Sequence, residues 1–108
     1  MKTYSKSQLK VLELHGNIQQ EESDELEQIL SEMYENGNRN IVIDLSGVQH
    51  ICSSALGILV TFKKILQNDE TGQLQLVIPS EELLQLFEIT MLDKVFDIAQ
   101  SMNEALNS

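Results

Sequence analysis

Ile41-Val42-Ile43-Asp44-Leu45 is an almost unbroken apolar run of strand length. A short polar stretch follows, and then apolar residues recur at Ala55, Leu56, Leu59, Phe62, Ile65 and Leu66. The run is too continuously apolar for a sheet with one wet face, which predicts an internal strand over Asn40 to Leu45. The later spacing is that of a helix with one buried side, predicted from about Ser53 to Gln67. A strand covered on both faces that feeds an amphipathic helix restricts the chain to a layered α/β architecture.

The same alternation extends both ways. Leu9, Val11, Leu12 and Leu14 predict a strand with Lys10 and Glu13 on its solvated side. Lys2 to Ser7 is expected as a short edge strand before it, and Gly16 as its end. Glu21 to Glu35 carries Leu26, Ile29, Leu30, Met33 and Tyr34 on one stripe, behind an acidic start that suits a helix dipole. Gly37 is its predicted stop. Asn68 to Gly72 reads as a turn. Leu74, Leu76, Val77 and Ile78 read as a strand closed by Pro79. Ser80 is placed to cap a helix containing Leu83, Leu84, Leu86 and Phe87. Val95, Phe96 and Ile98 predict a last strand, and Ser101-Met102-Asn103-Glu104 opens a terminal helix through Leu106 in a capping-box pattern. Strands joined through helices should run parallel. With 108 residues, one domain over residues 1–108 is expected.

The net charge of −10 narrows the partners. No basic residue falls between Lys10 and Arg39, while Glu13, Glu21, Glu22, Asp24, Glu25, Glu27, Glu32 and Glu35 do. Such a surface repels nucleic acid and anionic membranes, and attracts a basic protein partner if it steers at all. Cys52 is the only cysteine, so no internal disulfide can form. The N-terminus lacks the apolar core of a signal peptide, and no apolar stretch has the length of a membrane helix. A soluble cytoplasmic protein is expected.

Catalytic chemistry has little material. His15 and His50 are the only histidines, and His50 lies near Cys52 without a third orienting group. Neither a metal-ligand set nor a phosphate-binding glycine loop is present, so no metal, no cofactor and no enzyme activity is expected. Lys63-Lys64 interrupts the acidic field and reads as a solvated helix face. Gly57, early in its helix, permits close approach of a strand or a partner.

The junction Ser53-Ser54-Ala55-Leu56-Gly57 remains. Hydroxyls there lie beside free backbone N–H groups and the positive end of a helix dipole, a place suited to phosphate. Two readings stand: a serine that accepts phosphate, or Ser53 as a simple N-cap with Ser54 as a small first-turn residue.

Together with Ile41 to Val48, with the tail Ile89-Thr90-Met91-Leu92-Asp93-Lys94-Val95-Phe96-Asp97-Ile98, and with Glu104-Ala105-Leu106, this junction resembles the STAS family, the sulphate transporter and anti-sigma factor antagonist domains. The likeness runs from Leu9 to Leu106. It implies a STAS-like domain with a central mixed sheet of four to five strands and about four helices. For free-standing members it implies an anti-sigma factor antagonist in a partner-switching pathway. The unmodified domain binds an anti-sigma factor that is also a serine kinase; phosphorylation releases it, and a serine phosphatase resets it. On the motif, Ser54 is the implied acceptor and Ser53 the neighbouring cap. Gln19, Gln49, His50, Cys52, Ser53, Ala55 and Gly57 form the implied docking face. The family commonly carries acidic residues where this chain has Gln19 and Cys52. That departure favours an alternative, a STAS scaffold that binds a protein partner in a stress-sensing or lipid-transport assembly without phosphorylation.

Overall fold

The computed structural model describes residues 1–107; Ser108, counted in the expected domain, lies outside the described residues. Five strands form one sheet in the order β1-β2-β3-β4-β5. They are β1 (Lys2–Lys6), β2 (Leu9–Ile18), β3 (Asn40–Ile51), β4 (Gln73–Val77) and β5 (Asp97–Ala99). The first two form an antiparallel hairpin, and the remaining neighbours pair in parallel. Four α-helices fill the connections and the end: α1 (Gln20–Glu35), α2 (Ser53–Gln67), α3 (Glu81–Ile89) and α4 (Met102–Leu106). The expected mixed α/β sheet is thus present.

Period-two alternation sorts the strand side chains. Leu12, Leu14, Ile41, Ile43, Leu45, Leu74 and Leu76 face one way and pack with Leu26, Leu30, Leu59, Phe62, Leu66, Leu83 and Phe87 from α1, α2 and α3. Val11, Val42, Val77 and Ala99 face the other way, against Ala105 of α4. Both faces of the central strands are therefore covered, as their continuous apolarity requires. Each fully buried Leu, Ile or Phe contributes about 1.5–3 kcal/mol relative to exposure. Phe87 also meets Phe96 edge to face, with centroids 6.0 Å apart.

The hydrogen-bonded ends of the helices follow their sequence signals. The Leu83 N–H donates to Ser80 Oγ at 3.3 Å and the Glu104 N–H to Ser101 Oγ at 3.1 Å, so both serines cap as expected. Gly37, at φ +91°, follows the C-terminus of α1.

Three boundaries differ from expectation. The expected end of β2 at Gly16 and the expected exit loop after Leu45 are instead more strand. Gly16 pairs with Val48 and Ile18 with Ile51 across two register shifts, and both Val48 and Ile51 are buried. Gly16 takes φ +76°, the left-handed region that lets the strand bend here rather than stop. The last strand begins at Asp97 rather than Val95, because Leu92–Lys94 forms a 3-10 turn behind Met91 at φ +63° and leaves Val95 exposed.

Candidate phosphoacceptor site

The bulged extension of β2 and β3 decides where the site sits. It carries both strands to Ile18 and Ile51, which are register partners, and α1 and α2 begin directly beyond them. Two helix N-termini therefore open side by side at the carboxyl end of parallel strands, where open α/β sheets place their sites. The Cys52 N–H donates to the Ile18 carbonyl at 2.8 Å and ties the starts of the two helices together.

Cys52, not Ser53, is the N-cap of α2. Its backbone is still extended at φ −81° and ψ 166°, and Ser53 is already the first helical residue. The expected cap role of Ser53 is therefore corrected: its hydroxyl sits one position too late to close the helix end. No side-chain capping hydrogen bond closes this helix end, although the Ser54 and Ala55 amides act on the Cys52 thiol.

Ser54 is exposed, with its Oγ donating to Gln20 Oε1 at 3.0 Å. Gln20 Nε2 in turn donates to Asp24 Oδ1 at 3.2 Å. Beneath this surface chain, the wholly buried Ser23 hydroxyl lies 3.2 Å from the Cys52 sulfur. That hydrogen bond holds the thiol below its ordinary value; partial burial opposes it, and the Ala55 and Ser54 amides add to it.

The other expected docking residues divide. Gln49 and His50 are exposed and line a groove with Gly47, Ser80 and Glu82 between β3 and the start of α3. Gln19 is exposed as the N-cap of α1, where its N–H donates to Glu22 Oε1 at 2.9 Å. Gly57 is exposed on the same side of α2 as Ser54 and Thr61, and a Cβ built on it meets nothing within 4 Å. Ala55 is wholly buried in the core, so its expected place on the docking face is corrected: it anchors α2 to the sheet. Lys63 is also not simply solvated, since its Nζ reaches Asp97 Oδ2 at 3.1 Å and links α2 to β5.

Sequence reasoning misses Gln20, Ser23 and Asp24. Ser23 carries a usable signal, because it heads the stripe Ser23, Leu26, Leu30, Met33 and must share that stripe's burial. The Gln20–Asp24 pair has the spacing of a helical i, i+4 contact. Among the described residues, no group of His, Cys, Asp and Glu is arranged to hold a metal ion, and no helix is long and apolar enough to cross a membrane.

Comparison with known proteins gives a consistent picture. The STAS domain family matches residues 1–105. The chain is 36% identical over 75 residues to the anti-sigma-B factor antagonist of Staphylococcus aureus, covering 68% of each protein. The solved structure of an anti-sigma factor antagonist from Mycobacterium paratuberculosis superposes with a TM-score of 0.82 at 26% identity, covering 98% of this chain and 89% of that one. The Bacillus cell fate determinant SpoIIAA in its phosphorylated form shares the fold at a TM-score of 0.74 and 17% identity, covering 98% of this chain and 96% of that one. With the serine junction found at the mouth of α2 and the family pattern spanning nearly every element, the chain belongs to the STAS domain family.

Proposed function

We propose that the protein is a cytoplasmic anti-sigma factor antagonist, regulated by reversible phosphorylation of Ser54. In this reading the unmodified domain binds an anti-sigma factor that is also a serine kinase, and a serine phosphatase restores the binding form. The single observation that carries it is the exposed Ser54 hydroxyl in the open first turn of α2. The named relatives, and the phosphorylated state of SpoIIAA, support the same reading.

The chemistry is local. Phosphate adds about −1.5 to −2 charges. The helix N-terminus favours that charge by about 0.3–1 kcal/mol, while Glu21, Glu22 and Asp24 in the first turns of α1 oppose it. The two effects act against each other, and the phosphorylated SpoIIAA structure of the same fold supports a domain that survives modification. Release then comes from bulk and negative charge placed where Gln49, His50, Gly57 and the exposed side of α2 meet the partner. Neither nucleic acid nor membrane is a partner in this scheme.

Phosphoryl transfer from ATP by the cognate kinase tests it. Label should enter the wild-type protein and be lost in Ser54→Ala, and phosphorylated protein should no longer capture the kinase. Equal labelling of both proteins would remove Ser54 from the assignment.

A second reading, a scaffold that binds its partner without phosphorylation, is favoured by one observation. The Cys52 thiol and Gln19, both neutral groups in ordinary form, flank the junction where the family commonly carries acids, and Cys52 is engaged internally by Ser23. Mass spectrometry on protein from its native cells decides: absence of phosphoserine under every growth condition selects the scaffold.

A further inference from the structure

Ser54 does not stand free in its exposed setting; it is the first member of a directed hydrogen-bond chain. Its Oγ–H donates to Gln20 Oε1 at 3.0 Å, and Gln20 Nε2 donates to Asp24 Oδ1 at 3.2 Å. The direction is set by chemistry. An ionised carboxylate only accepts, so Asp24 takes the amide nitrogen and leaves the amide oxygen for Ser54. A hydroxyl satisfies that oxygen because it can donate.

We propose that Gln20, oriented by Asp24, is a positioning residue that holds the Ser54 hydroxyl and opposes its phosphorylated form. The inference rests on the reading of Ser54 as phosphoacceptor. Phosphoryl transfer breaks the Oγ–H bond and forms an Oγ–P bond; the phosphoryl group comes from ATP, ADP leaves, and the proton passes to the kinase or solvent. The phosphate then presents only acceptors to an amide oxygen that is itself an acceptor. Turning the carboxamide over would offer Nε2 to the phosphate, but it would set Oε1 against Asp24. One of the two hydrogen bonds must be lost in the modified state. Gln20 and Asp24 therefore act as a polarity reader: matched to the hydroxyl, mismatched to the phosphate.

Asparagine at position 24 would lift the mismatch, since it can donate to a reversed Gln20. It also removes a negative charge, so the Gln20→Ala background is needed to separate the two effects. The experiment uses the full chain with phosphoserine installed at position 54 during translation, and compares thermal midpoints with the serine form. Phosphoserine should lower the midpoint of the wild type more than that of Asp24→Asn, by about 2–4 °C. In the Gln20→Ala background the difference should shrink to the part that the lost charge alone produces. In the unmodified protein, NMR couplings should report one Ser54 rotamer in the wild type and averaging in Gln20→Ala. Equal relief by Asp24→Asn with and without Gln20 would show plain charge repulsion and overturn the proposal, as would an unchanged Ser54 rotamer in Gln20→Ala. Because translation installs the phosphate, failure of every kinase to label Ser54 would sink the phosphorylation reading alone.

Discussion

Gly57 occupies an interior position of α2 with an ordinary helical backbone, since the positive-φ glycines are Gly16 and Gly37. A glycine there costs about 0.8–1.0 kcal/mol relative to alanine, because the unfolded chain has more freedom to lose. Apart from its chain neighbours and the adjacent backbone of its own helix, an added methyl group would meet no atom within 4 Å, so no clash offsets the gain. Gly57→Ala should thus stabilise the isolated domain by about 1 kcal/mol and raise its melting temperature by roughly 4–6 °C. The fold has no need of the missing side chain. If the docking face includes this side of α2, the same methyl group overpacks the complex at a cost of about 1–3 kcal/mol. Scanning calorimetry of the free domain and titration calorimetry with the anti-sigma partner read the two effects separately. A lowered melting temperature would refute the structural reasoning. A raised one with unchanged affinity would refute the placement of Gly57 in the interface.

Met91 holds φ +63° and is 64% exposed. The left-handed conformation costs about 1–2 kcal/mol, and the greater unfolded-state entropy of glycine cancels about 0.4–1 kcal/mol of the relief, so Met91→Gly should raise stability by about 0.5–1 kcal/mol in urea titrations. Cys52 alkylation by iodoacetamide should show a midpoint below the ordinary thiol value of 9.0, and Ser23→Ala should move it upward. The depressed thiol contributes stability that is present above the ordinary value and lost as pH falls through the folded one, a dependence that Cys52→Ala should abolish. The Asp69 carboxyl is held below its ordinary 3.8 by the Thr71 amide and hydroxyl and by Arg39, at 2.9 Å. Its contribution is complete above that value and lost as pH falls through the depressed one, so Asp69→Asn should flatten the acid limb of a stability-against-pH curve below about pH 4.

Elements with a strong period are legible in the sequence alone. The stripe from Leu26 to Met33 and the alternation around Val42 report burial, and burial dictates the element. Ser80 and Ser101 are legible because their caps are local. The end of β3 is not, because pairing of Val48 and Ile51 with β2 depends on bulges that only the neighbouring strand reveals. The cap expected at Ser53 fails for a related reason. Ser53 has the side-chain chemistry of a cap, but the register of β3 with β2, set elsewhere in the chain, places Cys52 at the boundary.

The same register explains why the sequence shows only part of the site. Ser54 and Gly57 are legible because the strand-to-helix junction and the family motif that it resembles are contiguous in the chain. Gln20 and Ser23 matter only once α1 lies beside α2, and that juxtaposition follows from Ile18 and Ile51 ending their strands together. It also alters how charge reaches Ser54. With Gln19 and Cys52 carrying no carboxylate, Asp24 acts on Ser54 through the carboxamide of Gln20. A carboxylate in direct contact would oppose phosphate by repulsion over several ångströms, and salt would weaken that opposition. A relay through an amide opposes it by hydrogen-bond direction, which salt weakens far less. The destabilisation caused by phosphoserine at position 54 should therefore persist in part at 1 M salt, where the Debye length is about 3 Å. Its complete disappearance there would mean that charge alone governs the site.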